Sequence, residues 1–126
     1  MNKLKMNKLN LITEQEAIEN IAQYYGLKPQ LDILQEECAE LIQAASKFKR
    51  GNYNEYTIPS SLIEELADVE IMLNQIEYLL GDDVRKEIGR VKKDKIKRQL
   101  GRIEDECLEV LKIEETDQET RSEGMK

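Results

Sequence analysis

From Thr13 to Val110 the apolar residues of the chain recur three and four positions apart, broken by a few glycines and one polar stretch. That is the period of helices that bury one face. Thr13 followed by Glu16 reads as a capping box, so a first, short helix is expected through Ile18, Ile21 and Ala22, ending at Gly26. Pro29 suits the first turn of a second helix, whose Leu31, Leu34, Cys38, Leu41 and Ala45 keep the period until Lys47, Lys49 and Arg50 precede Gly51. Residues 51–58 have turn formers without helical period and read as a connecting loop. A second capping box at Ser61 and Glu64 opens a third helix carrying Leu62, Leu66, Val69, Leu73, Ile76 and Leu80 to a stop at Gly81. A fourth is expected from Asp82 or Asp83 through Val84, Ile88, Val91, Ile96, Leu100, Ile103, Cys107 and Val110, with Gly89 and Gly101 each weakening it by about 1 kcal/mol relative to alanine.

Composition agrees with an all-α fold. The chain has 126 residues and 14.7 kDa, 40% hydrophobic and 36% charged, with 5% aromatic and two prolines, which favours one small helical bundle over a sheet. Residues 13–112 are the expected domain. Residues 1–12, where Met1-Asn2-Lys3-Leu4 recurs as Met6-Asn7-Lys8-Leu9, are expected to be a flexible arm, and residues 113–126, without an apolar face, a disordered acidic tail. A net charge of −7 and a pI near 4.8 argue against binding nucleic-acid polymers, which requires a basic surface. No stretch is long and apolar enough for a membrane span, and no signal-peptide core is present, so a cytoplasmic protein is expected. Cys38 and Cys107, set among apolar neighbours, read as small core residues in a reducing compartment, and without histidine they do not suggest a zinc site.

The candidate chemistry lies in two acidic pairs. Glu37 with Glu40, and Glu65 with Asp68, are each three apart and so share a helix face. Three further acidic pairs have the same spacing: Glu16 with Glu19, Glu106 with Glu109 and Glu114 with Asp117. The central two differ in flanking the apolar stripes, where packing would partly desolvate them and crowded carboxylates would need a cation or protons. Oxygen-only ligands suit Mg²⁺ or Mn²⁺. The plain alternative is solvated helix surface, with Glu64 and Glu65 favouring a helix N-terminus. Lys47, Lys49 and Arg50 read as complements to a helix C-terminus, while the period puts Lys95 and Arg98 on one side of the fourth helix.

The pattern Glu-Glu-x-x-Glu, a gap of 24 residues, then Glu-x-x-Asp, followed by Lys95-Ile96-Lys97-Arg98, resembles the MazG-like nucleoside triphosphate pyrophosphohydrolases over roughly residues 29–105. The resemblance implies a four-helix bundle with a short N-terminal helix, assembled as a homodimer or homotetramer. It implies Mg²⁺ held by Glu37, Glu40, Glu65 and Asp68, with Glu36 as a supporting carboxylate and Lys95 and Arg98 on phosphate oxygens. It further implies hydrolysis of a nucleoside triphosphate between the α- and β-phosphates, with Glu36, Glu37 or Glu40 accepting the proton of the attacking water. This chain has Asp94 where the family often has asparagine, and that nucleotide contact is not carried over. Two other functions fit the same layout: a catalytically silent helical dimer that binds nucleotides or a protein, and a pyrophosphohydrolase acting on phosphoribosyl-ATP.

Overall fold

A computed structural model describes residues 12–124. Among them there are four helices and no strand: α1 (Glu14–Tyr25), α2 (Leu27–Arg50), α3 (Ser60–Leu80) and α4 (Asp82–Gly124). The chain divides into two units at Arg85 and Lys86.

In the first unit α3 packs on both α2 and α1, more extensively on α2. Thr13 caps α1 as expected, its Oγ1 accepting from the Glu16 amide at 3.0 Å while the hydroxyl donates to the Glu16 carboxylate at 3.3 Å. Single glycines make two of the corners. Gly26, at φ +81°, closes α1 through its amide to the Ala22 carbonyl and at once begins α2, and Gly81, at φ +97°, does the same between α3 and α4. At these φ values a side chain would be strained.

α3 departs from the expected start. The flanking position is Pro59, in extended conformation and with no side-chain cap, so Ser61 lies inside the helix rather than at its cap. The fixed φ of proline ends the loop, and its carbonyl takes the Leu62 and Ile63 amides at 3.1 and 3.3 Å in place of a capping box.

The core is small: Ile18, Ala22, Ala44, Met72 and Ile76, with Gln30 and Gln75 buried beside them. Among the buried and half-buried positions, one series on α2 runs Gln30, Leu34, Glu37, Leu41, Ala44 and Phe48, and one on α3 runs Glu65, Val69, Met72 and Ile76. Both series alternate four and three, so each helix gives one core-facing position to a glutamate. The face of α3 is therefore rotated from the expected stripe, and Leu66, Leu73 and Leu80 are exposed, as is Leu31 on α2. Hydrogen bonds from Gln15 to Asn74, in both directions, and from Gln23 Nε2 to the Tyr78 hydroxyl at 2.6 Å tie α1 to α3.

The second unit is the remainder of α4. From Ile96 onward every described residue is exposed except Gly101, which is half-buried, and Cys107 is thus a surface rather than a core residue. The tail expected to be disordered from residue 113 is helical through Gly124. Lacking an apolar face does not abolish helical propensity: the segment has no proline and abundant Glu, and the Thr116 and Thr120 hydroxyls bond back to the carbonyls four residues earlier at 2.9 Å. The arm expected over residues 1–12 lies, Ile12 excepted, outside the described residues, as do Met125 and Lys126. None of the described helices is long and apolar enough to cross a membrane.

Candidate metal centre

Glu37 from the middle of α2, with Glu65 and Asp68 from the first half of α3, each bring one carboxylate oxygen to within 4.8 Å of the other two. The register described above allows this: both glutamates sit in core-facing series of packed helices, and here they lie at the same level. The Oε2 atoms of Glu37 and Glu65 are shut off from solvent and find no hydrogen-bond partner among the described residues. A buried carboxylate oxygen without a donor is costly unless a proton or cation satisfies it.

The electrostatics point the same way. Loss of hydration raises the Glu37 pKa above its ordinary value, helped by the charges of Asp68, Glu40 and Glu65. Glu65 is raised too, again first by loss of hydration and then by Glu40, Asp68 and Glu64. Glu40 is exposed yet acts on both glutamates, so the four expected ligands converge, three as a tight group and Glu40 beside them. Glu36 is exposed and outside the tight group. Three carboxylate donors, two of them with a buried oxygen left unpartnered, fit a hard divalent cation such as Mg²⁺ or Mn²⁺.

Two turns further along α2, Ala44, Lys47 and Phe48 line a cavity of about 210 Å³ with Gly51, Asn52, Thr57, Pro59 and Ser61. The 51–59 connection around it is ordered locally. The Asn54 Oδ1 accepts from the Tyr56 amide at 2.9 Å, the Tyr53 hydroxyl donates to Glu55 at 2.7 Å, and the rings of Phe48 and Tyr53 lie 5.0 Å apart. Nothing in the spacing of the aromatic residues marked this cavity.

Lys95 and Arg98 belong to the second unit, where both are exposed and lie with Gln99 and Arg102 on one open face of α4. Asp94, just before Lys95, is engaged by Arg90 at 3.1 Å.

The fold and site together define the class: an all-α protein with a carboxylate cluster shared between two packed helices. Comparison with protein-family models, with curated proteins and with solved structures finds no match for the chain.

Proposed function

We propose that the protein is a Mg²⁺-dependent nucleoside triphosphate pyrophosphohydrolase of the MazG-like type, releasing pyrophosphate and a nucleoside monophosphate. The observation that carries this reading is the convergence of Glu37, Glu65 and Asp68 with two buried, unpartnered Oε2 atoms. A silent binding module has no physical need for carboxylates held together against their own repulsion.

In this reading Glu37, Glu65 and Asp68 hold the cation, and Glu40 completes or flanks the set. The cation, when bound, neutralises phosphate oxygens and acidifies a water. Glu40, outside the tight group but within reach of it, is the carboxylate we assign to accept the proton of the attacking water, with Glu36 in a supporting place one residue from Glu37. The cavity at Ala44 and Phe48 lies along the same helix, and there we place the nucleoside. Lys95 and Arg98 as phosphate contacts, like pairing of protomers through apolar faces, rest on the sequence resemblance.

The test is pyrophosphate release from a panel of canonical and modified nucleoside triphosphates, with Mg²⁺ and with EDTA, and with identification of the nucleotide product. Mg²⁺-dependent monophosphate and pyrophosphate are expected. No turnover on any nucleotide by folded, cation-loaded protein would overturn the reading, and turnover of phosphoribosyl-ATP alone would replace it with the related activity.

A further inference from the structure

The second unit is a single helix that buries none of its residues while carrying an apolar stripe. Ile96, Leu100, Ile103, Cys107 and Val110 alternate four and three apart, and the four aliphatic members are each more than half exposed. Helices of this kind owe most of their stability to packing of that stripe against something else. Lys95, Arg98 and Arg102 lie on another face, roughly a third of a turn away at 100° per residue.

Charge along α4 is split into two blocks. Between Arg85 and Arg102 there are nine basic residues against two acidic ones, and between Ile103 and Gly124 nine acidic against two basic. The two acids of the basic block, Glu87 and Asp94, are both paired with Arg90. No other ion pair forms among the described residues, so the remaining basic side chains of the block and the acids of the second block are uncompensated among them. A helix positive in one half and negative in the other complements itself only when reversed.

We infer that α4 is an interface, pairing antiparallel with α4 of a second copy of this chain through Ile96, Leu100, Ile103 and Cys107, with the basic half of each helix against the acidic half of the other. The register follows from the flanking charges. Of the ways to lay the stripe on its reverse, the one setting Leu100 against Ile103 of the second copy, and Ile96 against Cys107, places Lys97 beside Glu104 twice. Sliding one heptad toward the C-terminus sets Glu104 against its own copy, and sliding toward the N-terminus sets Lys97 against its own copy. A parallel pair would bring Lys92 beside Lys97. The chosen register centres next to Gly101, close to where the charge changes sign, so stripe and charge blocks select one arrangement independently. The outward positions Lys95, Arg98 and Arg102 stay free, and the pairing stands whether or not the carboxylate cluster binds a cation.

The test uses the full chain. Sedimentation equilibrium should give twice the 14.7 kDa chain mass, weakening with added salt. Zero-length carbodiimide coupling of a mixture of isotopically labelled and unlabelled chains should yield a mixed-isotope link between Lys97 and Glu104. Lys97→Glu should weaken the dimer about tenfold, as roughly 1.4 kcal/mol of flanking charge is reversed, and adding Glu104→Lys should restore it. Leu100→Asp with Ile103→Asp should give a monomer. A monomer at every concentration overturns the inference. So does a spontaneous disulfide between the two copies of Cys107, about 16 Å apart along the antiparallel pair but adjacent in a parallel one. A dimer untouched by the Leu100 and Ile103 changes is held by another face, such as Leu66 and Leu73, and overturns it equally.

Discussion

Replacing Glu37 by glutamine separates what the cluster costs the fold from what it does for a cation. The ligand oxygens of Glu37 and Asp68 lie within 4.8 Å, and unit charges at that distance repel by about 0.9 kcal/mol in water. Salt and the partial exposure of the site discount this to about 0.5 kcal/mol. In EDTA, Glu37→Gln should therefore melt roughly 2–4 °C above the wild type for a domain of this size. The amide also supplies donors to a site that has only acceptors. With Mg²⁺ at a hundred times its dissociation constant the order should invert, because binding to the folded state alone contributes about 2.7 kcal/mol. The wild type would gain roughly 10–20 °C, and the variant, missing a ligand, much less. Far-ultraviolet circular dichroism melts of both proteins, with EDTA and with Mg²⁺, give all four values. An equal Mg²⁺ response in the two proteins, or a variant melting below the wild type in EDTA, would refute the assignment of Glu37.

Three further outcomes are expected. Because the folded-state pKa values of Glu37 and Glu65 are raised, the folded protein binds more protons than the unfolded chain between the ordinary value of 4.5 and the raised ones. Stability therefore falls as pH rises through that window, so metal-free protein should melt higher at about pH 5 than at about pH 7.5, with the gap narrowing in Mg²⁺; a metal-free melting temperature that climbs over that interval would contradict it. Gln30, 2% exposed and with an unpartnered Oε1, should be replaceable by the similarly sized methionine with a gain of about 1 kcal/mol in urea unfolding, and a loss would show that the amide is satisfied after all. Asp68→Asn and Glu40→Gln should each lower Mg²⁺-dependent pyrophosphate release by roughly a hundredfold or more while leaving the helical spectrum intact, and full activity in either would remove that residue from the site.

The helices were legible because their ends are marked by chemistry that acts locally: the Thr13 cap, Gly26, Gly51 and Gly81 all fall where the chain turns. Ser61 misled because serine followed by glutamate three residues later satisfies the capping pattern, while Pro59 ends the loop earlier by fixing its own φ. The acidic pairs could be named from spacing, but their burial could not, since Leu66 and Leu73 suggest a different face for α3 from the one it buries. Which face wins depends on what α2 presents. The more informative signal is that Glu37 and Glu65 themselves occupy the four-three series of their helices, a place where a glutamate has no business unless something meets it. The helical tail is not legible in the sequence because lacking an apolar face does not prevent a helix, and one continuing from a well-formed helix needs no new nucleus.

Gly26 and Gly81 are corners of one residue each, whereas α2 and α3 are joined by the nine residues 51–59. The chain cannot be lengthened at either glycine without turning one helix out of line with the next, but closing a longer loop at 51–59 costs only about 0.6 kcal/mol per doubling. Foreign sequence is therefore best accommodated around Asn52 to Tyr56, all exposed. New termini or a fluorescent domain inserted there would sit between the two helices that carry the carboxylates, turning any tightening of that pair into a signal readable without substrate.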